Sequence, residues 1–239
     1  MLKIRKQMNE NQPIKQVKSK QRVADHGEVF TAEREVNAML DLVKQETERI
    51  DSRFLEPACG NGNFLSEILR RKLAIVENSY AKNQPEYERY AVLAVSSIYG
   101  IDILPDNVNE CCERLYDIFN EIYTTFYANQ CKEECRRSIK YLLKKNILWG
   151  DALDLKTPDD EAKPIVFSEW SLINNNIKRR DFTLANLLKG DLHTYNAAKY
   201  KSNEIPLFSD EGDPAFLPTP VGDYPLIHFL KLGENETDL

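Results

Sequence analysis

The sequence predicts an α/β fold, a parallel sheet with helices on both faces and ligands held where the strands end. Three observations predict it. Short apolar stretches near residues 52–56, 97–102, 146–149 and 164–168 alternate with helical patterns, the signature of β-α-β units. The first stretch runs straight into a glycine turn, Glu56-Pro-Ala-Cys-Gly-Asn-Gly62, and then an amphipathic pattern. The second and third end in Asp102 and Asp151, at the carboxyl ends where such sheets bind ligands.

Composition sets the bounds. With 239 residues, 42% hydrophobic and 29% charged, the chain is long enough for one packed domain with tails. No apolar run approaches the ~18 residues of a membrane span, and the N-terminus has no apolar stretch of a secretory signal. The five cysteines include the adjacent pair Cys111 and Cys112 and the four-spaced Cys131 and Cys135. Neither spacing suits zinc, so no metal and a reducing, cytoplasmic setting are expected. The net charge of −6 is unevenly spread. Residues 1–22 carry Lys3, Arg5, Lys6, Lys15, Lys18, Lys20 and Arg22 against Glu10, whereas residues 203–239 are strongly acidic. We therefore expect a basic flexible arm over 1–22, which meets phosphates or a partner or is simply solvated. A ligand-binding domain is expected over 23–190, and an acidic, irregular tail with a possible edge strand over 191–239.

In chain order, Gly27-Glu-Val-Phe-Thr31 precedes a helix expected from Ala32 to Arg49, capped by Thr31 and apolar along Val36, Met39, Leu40 and Val43. The glycine turn follows the first strand. Gly60 and Gly62 permit a positive φ or close approach of a ligand. The next helix, opened by Phe64, Leu65, Ile68 and Leu69, aims its free amides at the same place. It runs to about Val76, and another begins at Pro85 and ends near Ser97. A strand then ends at Asp102, whose carboxylate suits both hydroxyls of a ribose or caps the helix starting at Pro105. Residues 105–145 read as two helices, one through Val108, Cys112, Leu115, Ile118, Phe119 and Ile122, one through Cys135, Ile139, Leu142 and Leu143. The third strand ends in Gly150-Asp-Ala152, and the fourth, Lys163 to Ser168, is expected beside the others.

The turn has neither dinucleotide nor P-loop spacing. A plain strand-to-helix turn would explain a lone Gly-x-Gly; the full Glu-Pro-Ala-Cys-Gly-Asn-Gly string resembles motif I of the S-adenosylmethionine-dependent DNA adenine-N6 methyltransferases. The resemblance, closest to methylation subunits of restriction-modification and phage-defence systems, covers about residues 23–155. It implies a Rossmann-like class I methyltransferase fold, incomplete in its C-terminal half. It also implies that S-adenosylmethionine is held by Glu56, Ala58, Cys59, Gly60, Asn61 and Gly62. Phe30 and Thr31 match the family's Phe-Thr-Pro, with Ala32 where proline is usual. Asp102 and Ile103 match the ribose and adenine contacts of motif II, and Asp151 and Ala152 the adenine contacts of motif III.

The catalytic Asn/Asp/Ser-Pro-Pro-Tyr/Phe string is missing. Ser168-Glu-Trp-Ser171 stands in its place, so Ser168 as amine acceptor and Trp170 as the ring stacking on a flipped base are the candidate catalytic residues. Glu169 has no role in that chemistry. A region for reading DNA is also absent, so the resemblance implies DNA reached through a partner subunit, in a homo- or hetero-oligomer without membrane. Two readings stay open: a methyltransferase or its cofactor-binding subunit, and a degenerate, non-catalytic module of such a complex.

Overall fold

A computed structural model describes residues 17–188 and 218–234. The expected arm up to residue 16, and most of the acidic tail, lie outside the described residues. Residues 17–22 do not extend the arm. Ser19 accepts from the Arg22 amide and caps helix α1, Lys20–His26, which Gly27 ends in the left-handed region at φ 64°.

The expected single helix from Ala32 is two, α2 (Glu33–Asp41) and α3 (Lys44–Thr47). Bonds from the Leu42 and Val43 amides to the Met39 and Leu40 carbonyls tighten the last turn and stop α2. The break follows burial. Val36 and Leu40 enter the core, while Met39 and Val43 stay 54% and 45% exposed. Ala32, not Thr31, is the N-cap, with no side-chain bond.

Strands β1 (Phe54–Glu56), β2 (Ile98–Asp102) and β3 (Ile147–Trp149) form a parallel sheet in chain order. Leu55 pairs with Tyr99, and Ile101 with Leu148. Between them run α4 (Asn63–Tyr80), α5 (Gln84–Ser96), α6 (Pro105–Tyr127) and α7 (Glu133–Asn146). In α4, Leu65, Ile68, Leu69, Leu73 and Val76 recur on one face and are buried. In α6 the buried thiol is Cys111 and Cys112 is only half-buried. All four expected residues of α7 are buried.

The fourth strand departs from expectation. β4 (Val166–Ile173) is not in the parallel sheet. It forms an antiparallel hairpin with β5 (Asn176–Thr183), turning at Asn174 with φ 54°. A five-residue helix α8 (Leu184–Leu188) follows, and β6 (Gly222–Asp223) and β7 (Ile227–His228) pair with β5. β4 also runs the opposite way. Ile165 packs on Gly150, just past the carboxyl end of β3. Trp170 Nε1 donates to Asn146 Oδ1 at 2.8 Å, just before β3 begins. Glu169 pairs at 2.9 Å with Arg53, just before β1. The hairpin covers a sheet face where helices were expected. Gly100 faces Leu65 on α4, whereas on the other side Tyr99 meets Phe167, and Ile101 and Ile165 both lie against Gly150. Phe167 buries its ring there against Tyr99, while Trp170, of opposite parity on β4, packs edge-on against Tyr141 of α7.

At the amino ends of the strands, buried Lys72 donates to the carbonyls of Ile50, at 3.0 Å, and Ser52, and to Ser97 Oγ at 2.7 Å. Asn146 Nδ2 reaches the Ile98 carbonyl at 3.0 Å. Among the described residues no helix is long and apolar enough to cross a membrane.

Candidate functional site

The candidate site is the turn between β1 and α4. Gly60 and Gly62 have φ of 52° and 85°, a region that penalises any Cβ. Space is short as well. A Cβ on Gly62 would lie 2.6 Å from Cys111 Sγ, and one on Gly60 would lie 3.0 Å from Phe30 Cε1. The turn is pinned to β2: the Cys59 amide donates to the Ile101 carbonyl and the Gly60 amide to Asp102 Oδ2, both at 2.8 Å. The Gly62 amide closes back on the Cys59 carbonyl at 2.8 Å. The first-turn amides of α4 then face the turn without intrahelical partners.

Asp102 Oδ1 also accepts from the Leu104 amide at 2.9 Å and from Asn107 Nδ2 at 3.1 Å. Three donors on a carboxylate with about four acceptor positions leave room for one more, on Oδ2. The aspartate therefore shapes the turn and keeps one acceptor position unused by the described residues. Asn61 is nine-tenths buried; its Nδ2 donates to Glu110 Oε1 at 3.3 Å, and its Oδ1 has no partner among the described residues. A buried acceptor left unpaired is costly, and a donor from a ligand would satisfy it. Burial raises the Glu56 carboxyl above its usual range, against a weak bond from the Ala58 amide. Contact with the Cys111 thiol, then burial, pushes the Cys59 thiol far up, so it is a packed thiol and no nucleophile.

Most of the residues singled out from the sequence meet here. Phe30 is buried over Gly60, and Thr31 contributes its carbonyl, which accepts from Asn63 Nδ2 at 2.9 Å. Ala58 is exposed at the rim, and Ile103 is 42% exposed, giving an apolar surface beside Asp102. Asp151 sits at the neighbouring strand end, where the Gly150 amide bonds the Asp102 carbonyl at 3.0 Å. Its Oδ1 accepts from the Leu153 amide at 2.8 Å and the Asp154 amide at 3.3 Å, so it also closes its own turn. Ala152 packs partly on the core.

Ser168 and Trp170 are not part of this assembly. Both are buried, Ser168 Oγ donates to Asp181 Oδ1 at 2.8 Å, and Trp170 is bonded to Asn146 at the amino ends of the strands. The reversal of β4 carries them away from the glycine turn. A groove of about 420 Å³ lies at that far end, lined in part by Arg53, Tyr90, Ser97 and Trp170; it has no contact with the turn.

Several residues of the site went unnoticed in the sequence. Gly100 leaves space that a Cβ would take 2.9 Å from Leu65 and 3.0 Å from the Cys59 sulfur. Asn107, Glu110 and Arg114, spaced by three and four on α6, share a helix face. Arg114 Nη1 donates to the Asn61 carbonyl at 3.4 Å and to Asn63 Oδ1 at 2.5 Å. That spacing was the available signal. Among the described residues no cluster of three His, Cys, Asp or Glu is placed to hold a metal ion. Compared with models of protein families, with curated proteins and with solved structures, the chain matches none.

Proposed function

We propose that this chain is an S-adenosylmethionine-binding module of the DNA adenine-N6 methyltransferase type, with a Rossmann-like sheet of which β1, β2 and β3 form one half. The observation that carries the reading is the turn after β1: Gly60 and Gly62 held in the left-handed region and tied to Asp102. The residues fit the cofactor. Asn61 Oδ1 awaits a donor and Asp102 keeps one acceptor position on Oδ2, while the sides of Gly60 and Gly62 where a Cβ would stand are closed by Phe30 and Cys111. On this reading Gly60, Asn61 and Gly62 hold the amino-acid part, Asp102 the ribose, and Ile103 the adenine. Bound there, the cofactor supplies an electrophilic sulfonium methyl. The chain itself binds it, orients it and shields it under Phe30. The placement of Ser168 and Trp170 favours the module over a self-sufficient enzyme, so a partner subunit presents the DNA and the groups that steer the target amine.

Ultraviolet cross-linking of tritiated S-adenosylmethionine, mapped by peptide, tests this. Label is expected within residues 56–64, with no methyl transfer to DNA by the chain alone. Label elsewhere, or none that unlabelled cofactor competes away, would refute the reading. Transfer to DNA by the purified chain alone would restore the full-enzyme alternative.

A further inference from the structure

We infer that residues 18–30 form a strap latched by charge across the glycine turn, and that opening of the strap gates exchange of the ligand held there. The gate rests on the reading of the turn as a ligand site; the latch does not.

The strap descends from Lys18 through α1, turns at Gly27 and returns through Glu28 to Phe30, which covers Gly60. Its cations meet acids at the start of α6. Arg22 Nη1 donates to Asp106 Oδ2 at 2.6 Å and its Nε to Glu28 Oε2 at 2.6 Å. Lys18 pairs with Glu110, bonds Asn107 Oδ1 at 2.8 Å and lies 5.8 Å from the centre of the Phe30 ring. Asn107 is the hub. It is fully buried, and its Nδ2 donates to Glu28 Oε1 at 2.8 Å and to Asp102 Oδ1 at 3.1 Å. A continuous run of bonds therefore joins Arg22 and Glu28, through Asn107 and Asp102, to the Gly60 amide. Burial alone would raise the Glu28 carboxyl; the Arg22 guanidinium and the Asn107 amide outweigh it and hold it below the usual range.

Apolar anchorage of the strap is confined to Phe30. Phe30 is buried, but no hydrophobic residue from 18 to 29 is. The outer pairs, Arg22 and Lys18 with Asp106 and Glu110, are part-exposed, whereas the Glu28 side chain and Asn107 are buried. A segment held largely by such outer pairs, with one buried apolar residue, opens at the low end of the stability range. Such contacts are screened by salt, to a length of about 3 Å at 1 M. The strap is thus tied to the start of α6 by outer charge pairs that salt can loosen without disturbing the core.

Hydrogen–deuterium exchange on the whole ligand-free chain tests the latch, read at residues 18–31, 58–66 and 98–102. Arg22→Gln, or raising salt to about 1 M, is expected to speed exchange about tenfold in the first two segments and leave β2 slow. Arg34→Gln, an exposed cation paired among the described residues with Glu35 alone, is the control and leaves all three unchanged. An unchanged 58–66 segment in Arg22→Gln would overturn the latch, as would a rise in β2 equal to that in the strap. For the gate, S-adenosylhomocysteine dissociation is followed by stopped flow and is expected to be about tenfold faster in Arg22→Gln. Equal rates overturn the gate. Absence of any binding, with exchange responding as expected, overturns the ligand reading and leaves the latch standing.

Discussion

Gly62→Ala is expected to destabilise the chain by about 2–5 kcal/mol, and the structure divides that cost in two. The first part is conformational. Gly62 has φ of 85°, where an L-residue with a Cβ costs about 1–2 kcal/mol. The second part is contact. The new methyl would sit 2.6 Å from the sulfur of fully buried Cys111, and forced overpacking costs about 1–3 kcal/mol. The two parts separate experimentally. Gly27 has φ of 64° with nothing within 4 Å of its would-be Cβ, so Gly27→Ala carries only the conformational part, about 1–2 kcal/mol. Adding Cys111→Ala to Gly62→Ala removes the contact part, so the pair is less costly than the sum of the single changes. Urea unfolding of the four variants gives each value. A Gly62→Ala change under about 0.5 kcal/mol, the range of ordinary surface substitutions, or simple additivity with Cys111→Ala, would refute the reasoning.

Three further outcomes follow from the same structure. Burial pushes Lys72 down to about 7 from 10.5, so between these values the unfolded chain holds a proton that the folded chain sheds. Stability then rises with pH across that window, by up to about 1.4 kcal/mol per unit; the three acceptors around Nζ narrow the window from below without changing its sign. Urea melts from pH 6 to 10 check this, and Lys72→Met is expected to flatten the slope. Asp102→Asn places an amide where three donors converge, which costs about 1–3 kcal/mol and abolishes cofactor binding; thermal melts and a titration with S-adenosylmethionine read the two effects. Trp170→Phe loses the bond to Asn146, about 1–2 kcal/mol, and leaves cofactor binding unchanged because it acts at the far end of the strands. A large loss of affinity in Trp170→Phe would mean that β4 reaches the turn after all.

What could be read from the sequence was what local geometry dictates. Gly60 and Gly62 are legible because a turn from strand to helix needs their backbone freedom wherever it occurs. The strand ends at Asp102 and Asp151 and the helices from Pro105 and through Ile139 were legible from period and punctuation. Long-range constraints were not. Gly100 matters because Leu65 and Cys59 press on it from another element, and nothing beside it in the chain says so. A short apolar strand reads alike in either direction, so the sequence around Ser168 gave no sign that β4 runs backwards. The partners of Lys18 and Arg22 are not legible in the sequence because Asp106 and Glu110 are more than eighty positions away. Ser19 and Gly27, in cap positions at the two ends of α1, were the signs that part of the run is helical.

The central claim is that the turn at Gly60, Gly62 and Asp102 takes S-adenosylmethionine, and calorimetric titration of the purified chain is the most direct measurement of it. The account predicts saturable binding at one site per chain, lost in Asp102→Ala and kept in Ser168→Ala. No binding up to millimolar cofactor, or binding that survives Asp102→Ala unchanged, would contradict it.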